Sequence, residues 1–363
     1  MELAALMNVL VVNAGSSSLK LRVIGPGDEV LAEHDVERWD GRGHFGDLLD
    51  GGPEVHAVGH RVVHGGARFT GPTLIDEGVR AGLAELVPLA PLHQPRALDG
   101  VDAVRELLPD VPHVACFDTA FHASLPEHAA TYPLPPEWRE RWGLRKYGFH
   151  GLSHSYADRR ARELAGGGDR VVVAHLGSGC SLSAVRGGRS VDTTMGFTPL
   201  AGLVMGTRSG DVDPGLLLWL QRRGGLSADE VADGLEHRSG LTGLSGVGDD
   251  LRDVRAAAAG GSAQARLALE VYEHRLRQGI AAMAASLGGL DLLVFTGGAG
   301  ENDAALRERV AGGLGFLGVR LDRSRNAVCA PDARISGDGS AVGVWVLAAG
   351  EDVEIARQTR SAL

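Results

Sequence analysis

Val9-Leu10-Val11-Val12-Asn13-Ala14-Gly15-Ser16, followed by Leu19-Lys20-Leu21-Arg22-Val23, is matched later in the chain by Val171-Val172-Val173-Ala174-His175-Leu176-Gly177-Ser178, followed by Leu182-Ser183-Ala184-Val185. Each copy reads as an apolar strand, a polar residue, a Gly-Ser turn and a second strand. A hairpin tip of this kind presents backbone N–H groups and hydroxyls as a concave donor array suited to phosphate. Two unrelated hairpins with Gly-Ser turns would give the same local pattern, because turn statistics are permissive. The sharper reading is a duplicated fold with a phosphate loop in each half, the halves facing across a cleft.

Outward from the repeat, further strand-like runs bounded by glycine occur at 57–63, 111–116, 292–295 and 341–347, with helical periodicity at 216–221, 263–287 and 304–310. Strands mixed with helices make an α/β protein, and 363 residues at 44% hydrophobic content suffice for two cores. The 53 glycines have no G-X-Y period and come with only 15 prolines, so they serve turns and close approaches, not a collagen. Against 46 carboxylates stand 36 cations, a net charge of -10, which argues against nucleic acid or an anionic membrane as the main partner. Only Lys20 and Lys146 of those cations are lysines. The three cysteines, Cys116, Cys180 and Cys329, are far apart, with no disulfide framework and no CxxC pair, and fit a reducing cytoplasm. The first ten residues are too short and insufficiently basic for a signal peptide or a membrane span, and Met7 is an alternative start.

Two familiar phosphate signatures are set aside. No GxxxxGK[ST] occurs, and the lone GxGxxG at 313–318 follows a helical pattern and reads as a helix end and turn. The candidates for chemistry lie elsewhere. In GHRVVHGG, Arg61 ends a strand and can fork onto a phosphate or carboxylate, while the HxxxH spacing lacks the glutamate and cysteines that zinc would call for. Asp118 follows a buried strand, where it either organises Mg²⁺ or a proton, or caps the next segment. His150 sits between glycines in KYGFHG, as a cleft imidazole or as a structural turn residue. The long irregular stretch 193–215 carries Arg208, whose planar guanidinium suits a transferring phosphoryl group. Thr296-Gly297-Gly298-Ala299-Gly300-Glu301-Asn302 joins a strand to a helix N-terminus and makes a seat for a nucleotide. Glu351 and Asp352 open the last helix, where acidic residues also serve as dipole partners.

Taken together, NAGSSSLK, GHRVVHGG, PLAPLHQP, FDTAFH, KYGFHG, HLGSG, DTTMGFTPLAGLVMGTRSGD, FTGGAGEN and GEDVEIA resemble, in order, the acetate kinases of the actin, sugar kinase and Hsp70 ATPase superfamily. The resemblance implies a duplicated actin-like (ribonuclease H-like) α/β fold of two domains around a cleft. It divides the chain into 1–118 plus 352–363, with the first phosphate loop, and 119–351, with the nucleotide site. It implies reversible transfer of the γ-phosphoryl of ATP to acetate, giving acetyl phosphate and ADP, in line and with Mg²⁺ (or Mn²⁺), in a cytoplasmic homodimer. By position, Asn13 and Glu351 are the metal residues, and Ser16, Ser18 and Lys20 line the first loop. Asp118, Arg61, His150 and Arg208 are the catalytic residues. Val63, Leu92, Phe149 and Pro199, with Arg61, form the acetate site. His175, Gly177, Ser178 and Gly179 form the second phosphate loop, and Asp250, Leu251, Arg252, Gly297, Gly298, Ala299 and Asn302 hold adenosine. Ser178 replaces the asparagine usual in this family, and Gly297-Gly298-Ala299 is smaller than usual, so weaker or less base-selective nucleotide binding is expected. The alternatives are a propionate or butyrate kinase of the same architecture and a non-catalytic actin-like ATPase-fold protein.

Overall fold

A computed structural model describes residues 6–14, 18–37, 39, 51–91 and 93–363. The chain forms two compact units, residues 1–123, 149–156 and 350–363 in one and 124–148 and 157–349 in the other. Thr119–Ala123 and Phe149–Tyr156 thus group with the first unit, whereas the sequence places the boundaries at Asp118 and Glu351.

In the first unit, strands β1 (Val9–Ala14), β2 (Ser18–Ile24), β3 (Val30–Glu37), β4 (Ala57–Val62), β5 (Thr73–Leu74) and β6 (His113–Phe117) form one sheet in the order β3-β2-β1-β4-β6-β5. β1 pairs antiparallel with β2 and parallel with β4, and β4 pairs parallel with β6. Because side chains alternate across a strand, each face of this sheet collects its own apolar set. Leu10, Val12, Leu19, Leu21, Val23 and Val58 share one core with Val104 of the helix Gln94–Leu107. Val9, Val11, Ile24, Val114 and Cys116 share the other with Ile355 and Ala356 of the C-terminal helix Glu351–Ser361.

That helix lies close on the sheet because β4 carries a glycine where they meet. A Cβ on Gly59 would come within 2.3 Å of Thr359 Oγ1 and 2.7 Å of Ile355 Cγ2. The close approach brings the first turn of the helix, with Glu351, to the end of β4 that carries Arg61.

The second unit repeats the plan strand for strand. β7 (Arg170–Leu176), β8 (Cys180–Arg186), β9 (Arg189–Thr193), β10 (Leu292–Thr296), β11 (Ala333–Arg334) and β12 (Gly343–Val346) are ordered β11-β12-β10-β7-β8-β9. The pairings are also the same, antiparallel for β7 with β8 and for β8 with β9, and parallel for β7 with β10 and for β10 with β12. The duplication legible in two strands therefore extends over six. The glycines at 313–318 follow the helix Ala304–Gly312 in a short 3₁₀ turn closed by Gly318, as their sequence context indicates. No helix among the described residues is long and apolar enough to cross a membrane.

Candidate functional site

Four of the residues singled out in the sequence meet at the end of the first sheet. Arg61 Nη2 donates to Asp118 Oδ2 at 2.8 Å and its Nε to the same oxygen at 3.2 Å. Nη1 donates to Asn13 Oδ1 at 3.2 Å and lies 3.9 Å from Glu351 Oε2. Asp118, one residue past β6, is 1% exposed, so its carboxylate is engaged by Arg61 and not by solvent. Burial pushes the Asp118 carboxyl above the usual carboxylate range and Glu351 adds to the push, while Arg61 pulls it back. Arg61 loses hydration by burial, but Asp118 and Glu351 more than offset this and hold its charge.

Asn13, Asp118 and Glu351 offer hard oxygen atoms. Among the described residues no group of three or more His, Cys, Asp or Glu is arranged to hold a metal alone. The set suits Mg²⁺, which keeps waters and substrate phosphate oxygens in its shell and needs only one or two protein ligands. Lys20 is exposed and stands opposite Asn13 in the β1–β2 register. Ser16 and Leu92 lie outside the described residues, as does the side chain of Ser18.

His150 is held in a left-handed backbone conformation, φ 56°, which costs a non-glycine residue energy and commonly marks a functional position. The next residue explains the turn. Gly151 N–H donates to Asp118 O at 2.8 Å, and a Cβ there would stand 2.2 Å from that oxygen, so only glycine fits. His150 is thereby tied, one residue away, to the backbone of Asp118. Phe149 is 1% exposed; its carbonyl accepts from His122 Nε2 at 3.0 Å, and its ring meets the His64 ring edge-on at 5.5 Å. Val63 beside it is half-buried. His64 Nδ1 accepts from Gly66 N–H at 2.9 Å, and Gln94 bonds the His64 backbone from both its amide atoms. Gln94 and His122 were not foreseen in these roles, although both fall inside the quoted motifs PLAPLHQP and FDTAFH.

In the second unit, the β7–β8 tip is a three-residue loop between the paired Leu176 and Cys180, closed by Gly177 N–H to Gly179 O at 3.0 Å. Ser178 on this loop is exposed, and His175 is buried just before it. Gly177 and Ser178 form one wall of a cavity of about 640 Å³, and the other walls include Asp250, Leu251, Arg252, Gly298, Ala299 and Asn302. Six of the sequence candidates for the nucleotide thus share one cavity with two from the phosphate loop. Gly297 is not in its wall but supports it from behind, with φ 78° and its Cβ position 3.0 Å from the Leu176 backbone.

The same cavity is lined by Gly206, Asp249, Arg255, Tyr272 and Asp303, which sequence reasoning missed. Arg255 stands one helical turn after Leu251 and shares its face, a spacing that could have found it. Tyr272 lies within the helix Ala263–Leu287 and carries no local signal. Its hydroxyl is 3.2 Å from Cys180 Sγ, and burial pushes that thiol up to about 11.

The stretch around Arg208 is irregular, as expected, yet pinned. Arg208 Nη1 donates to Pro199 O at 2.6 Å, which brings together two of the candidate residues. Burial lowers the Arg208 pKa from its ordinary value. Lys146 Nζ binds Asp192 Oδ1 at 2.8 Å and Thr193 O at 2.9 Å, so one of the two lysines fixes the start of this stretch.

The chain is similar to known proteins over nearly its whole length. The family model described as the Acetokinase family matches residues 46–357. An acetate kinase of Leifsonia xyli subsp. xyli is 48% identical over 392 aligned positions, covering 98% of each chain. The crystal structure of Porphyromonas gingivalis acetate kinase superposes with a TM-score of 0.91 at 38% identity, covering 98% of this chain and 99% of that one. A propionate kinase from Francisella tularensis subsp. tularensis SCHU S4 superposes with a TM-score of 0.89 at 35% identity, covering 98% and 100%.

Proposed function

The chain belongs to the acetokinase family, and from that premise we propose that it transfers the γ-phosphoryl group of ATP to acetate, reversibly, giving acetyl phosphate and ADP. The observation that carries the proposal is the linked set Asn13, Arg61, Asp118 and Glu351, with His150 tied to the backbone of Asp118.

A carboxylate and a polyphosphate repel, so cations must bring them together, and a loose transition state spreads charge over oxygens that fixed cations can stabilise. Arg61, kept charged by Asp118 and Glu351, and His150 serve this in the first unit. Arg208, aimed by the Pro199 carbonyl, serves it in the second. Asn13 and Glu351 would hold Mg²⁺, which supplies positive charge to the phosphate oxygens. Val63 and Phe149 give the apolar contact for the acetate methyl, and Ser178 with the adjoining cavity seats the nucleotide. The three free cysteines fit a cytoplasmic enzyme.

We also assign a homodimer. The helix Pro214–Arg222 has no buried residue, and Leu216, Leu218 and Trp219 on it are 47%, 49% and 58% exposed. An apolar helix left uncovered in this way marks a contact surface, and a second copy of this chain is the partner that the family resemblance implies.

The test is purified protein with ATP, Mg²⁺ and, in turn, acetate, propionate and butyrate, the acyl phosphate being trapped with hydroxylamine. Acetate is expected to give the highest kcat/KM, with a graded fall of about 10- to 200-fold per added methylene. Arg208→Ala is expected to lower kcat by about three orders of magnitude. No acyl hydroxamate from any acid would overturn the proposal, and a higher kcat/KM for propionate would reassign the substrate.

A further inference from the structure

The turn after β4 leaves the sheet, so its backbone groups lack a strand to pair with, and their partners can be traced one by one. Gly65 N–H donates to Thr119 Oγ1 at 3.0 Å, Phe69 N–H donates to Gly65 O at 2.9 Å, and Gly66 N–H donates to His64 Nδ1 at 2.9 Å. Both backbone groups of His64 are taken by a single side chain. Gln94 Oε1 accepts from His64 N–H at 3.3 Å and Gln94 Nε2 donates to His64 O at 3.1 Å, the double exchange that a neighbouring strand would make. Nε2 also donates to Leu83 O at 3.3 Å, which ties the turn to the helix Glu77–Ala84. Gln94 itself opens the helix Gln94–Leu107.

What this clamp holds is a wall of the acyl site. Val63 immediately precedes His64, and the His64 ring meets Phe149 edge-on at 5.5 Å with the ring planes 74° apart. His64 is therefore a strut between two of the residues assigned to the acetate methyl, and Gln94 fixes the strut. His64, Gln94 and Phe149 are all buried, so solvent does not compete for these bonds. A pocket rejects an extra methylene only as firmly as its wall resists displacement, because a compliant wall moves aside and gains the added apolar contact.

We propose that Gln94 is a positioning residue that sets the acyl-chain selectivity of the enzyme, pinning His64 between Val63 and Phe149 and so stiffening the methyl site against propionate and butyrate. The inference rests on the reading that Val63 and Phe149 contact the acetate methyl. The cavity assigned to the nucleotide is lined by residues of the second unit, so KM for ATP serves as an internal control.

The test is kcat and KM for acetate, propionate and butyrate, and KM for ATP, measured by hydroxylamine trapping on wild type, Gln94→Met and Gln94→Glu. Methionine matches the length of Gln94 and loses all three bonds, whereas glutamate keeps the acceptor for His64 N–H and loses the two bonds that Nε2 donates. For Gln94→Met, the ratio of kcat/KM for propionate to that for acetate is expected to rise about tenfold, mostly through KM, while KM for ATP changes less than about threefold. Gln94→Glu, which retains part of the clamp, should raise the ratio by about threefold. The ratio does not depend on how much of the enzyme is folded, so a loss of stability alone leaves it where it was. If Gln94→Met fails to fold, Gln94→Glu still decides. A ratio equal to that of wild type in every variant that folds would overturn the inference and leave the functional reading intact. No acyl hydroxamate from wild type with any of the three acids would overturn the functional reading, and the inference with it.

Discussion

Arg61 was legible in the sequence as a cation at a strand end, and Asp118 as a carboxylate past another strand. That they bind each other was not, because the contact depends on the parallel register that sets Arg61 beside Cys116 across two strands 55 positions apart. His64 is a further case, set aside in the sequence as an unsupported metal ligand. It is a buried neutral imidazole whose Nδ1 accepts a backbone N–H, and burial lowers its pKa from 6.5 to about 4. Burial lowers His60 and His113 as well. A depressed histidine pKa means that the unfolded chain takes up the proton first. Stability is therefore complete above about pH 6.5 and is lost as pH falls toward 4. For His64 the loss amounts to about 3 kcal/mol. Urea unfolding between pH 7 and 4.5 should show it, and His64→Gln, which retains an acceptor for Gly66 N–H, should flatten the slope. Equal slopes in the two proteins would show that His64 does not contribute.

At the scale of elements, the buried central strands β1, β4, β6, β7 and β10 are visible as apolar runs, because a strand covered on both faces has little polar alternation. β3 is an edge strand, its residues exposed or half-buried throughout, and β5 and β11 are two residues each, so none of them leaves such a run. The helix Pro214–Arg222 was found from its apolar spacing, although it buries none of its residues. Gly59 tests an element contact directly. Gly59→Ala would drive a methyl into Thr359 and Ile355, with an expected loss of about 1 to 3 kcal/mol. Lifting the C-terminal helix also displaces Glu351 from Arg61, so kcat should fall more than the melting curve alone explains. A variant with wild-type stability and kcat would show that the helix does not depend on this close approach.

For the whole molecule, the two units show how far a short repeat can be extended. The sequence match covers only β1–β2 and β7–β8, yet all twelve strands obey one plan, because pairing order is set by topology and tolerates divergence of the residues themselves. The cavity residues Arg255 and Tyr272 were invisible for the complementary reason, since helices distant in sequence bring them together without a motif. The proposed homodimer is testable at this scale. Light scattering after size exclusion should give twice the 37.9 kDa chain mass, and Trp219→Glu should shift the population toward monomer. An unchanged dimer would place the contact elsewhere.

The first unit is assembled from three stretches of chain, of which the last, 350–363, is synthesised only after the strands of the second sheet. Val9 and Val11 on β1 leave the ribosome before any strand of the second sheet, and the helix that shields their face, through Ile355 and Ala356, emerges after all of them. The second sheet, from β7 to β12, has no such delay, because all of its strands have been translated before that helix begins. A nascent chain therefore carries one uncovered apolar sheet face while the whole second sheet is translated, so its exposure to chaperones and to aggregation is governed by elongation rate and not by final stability.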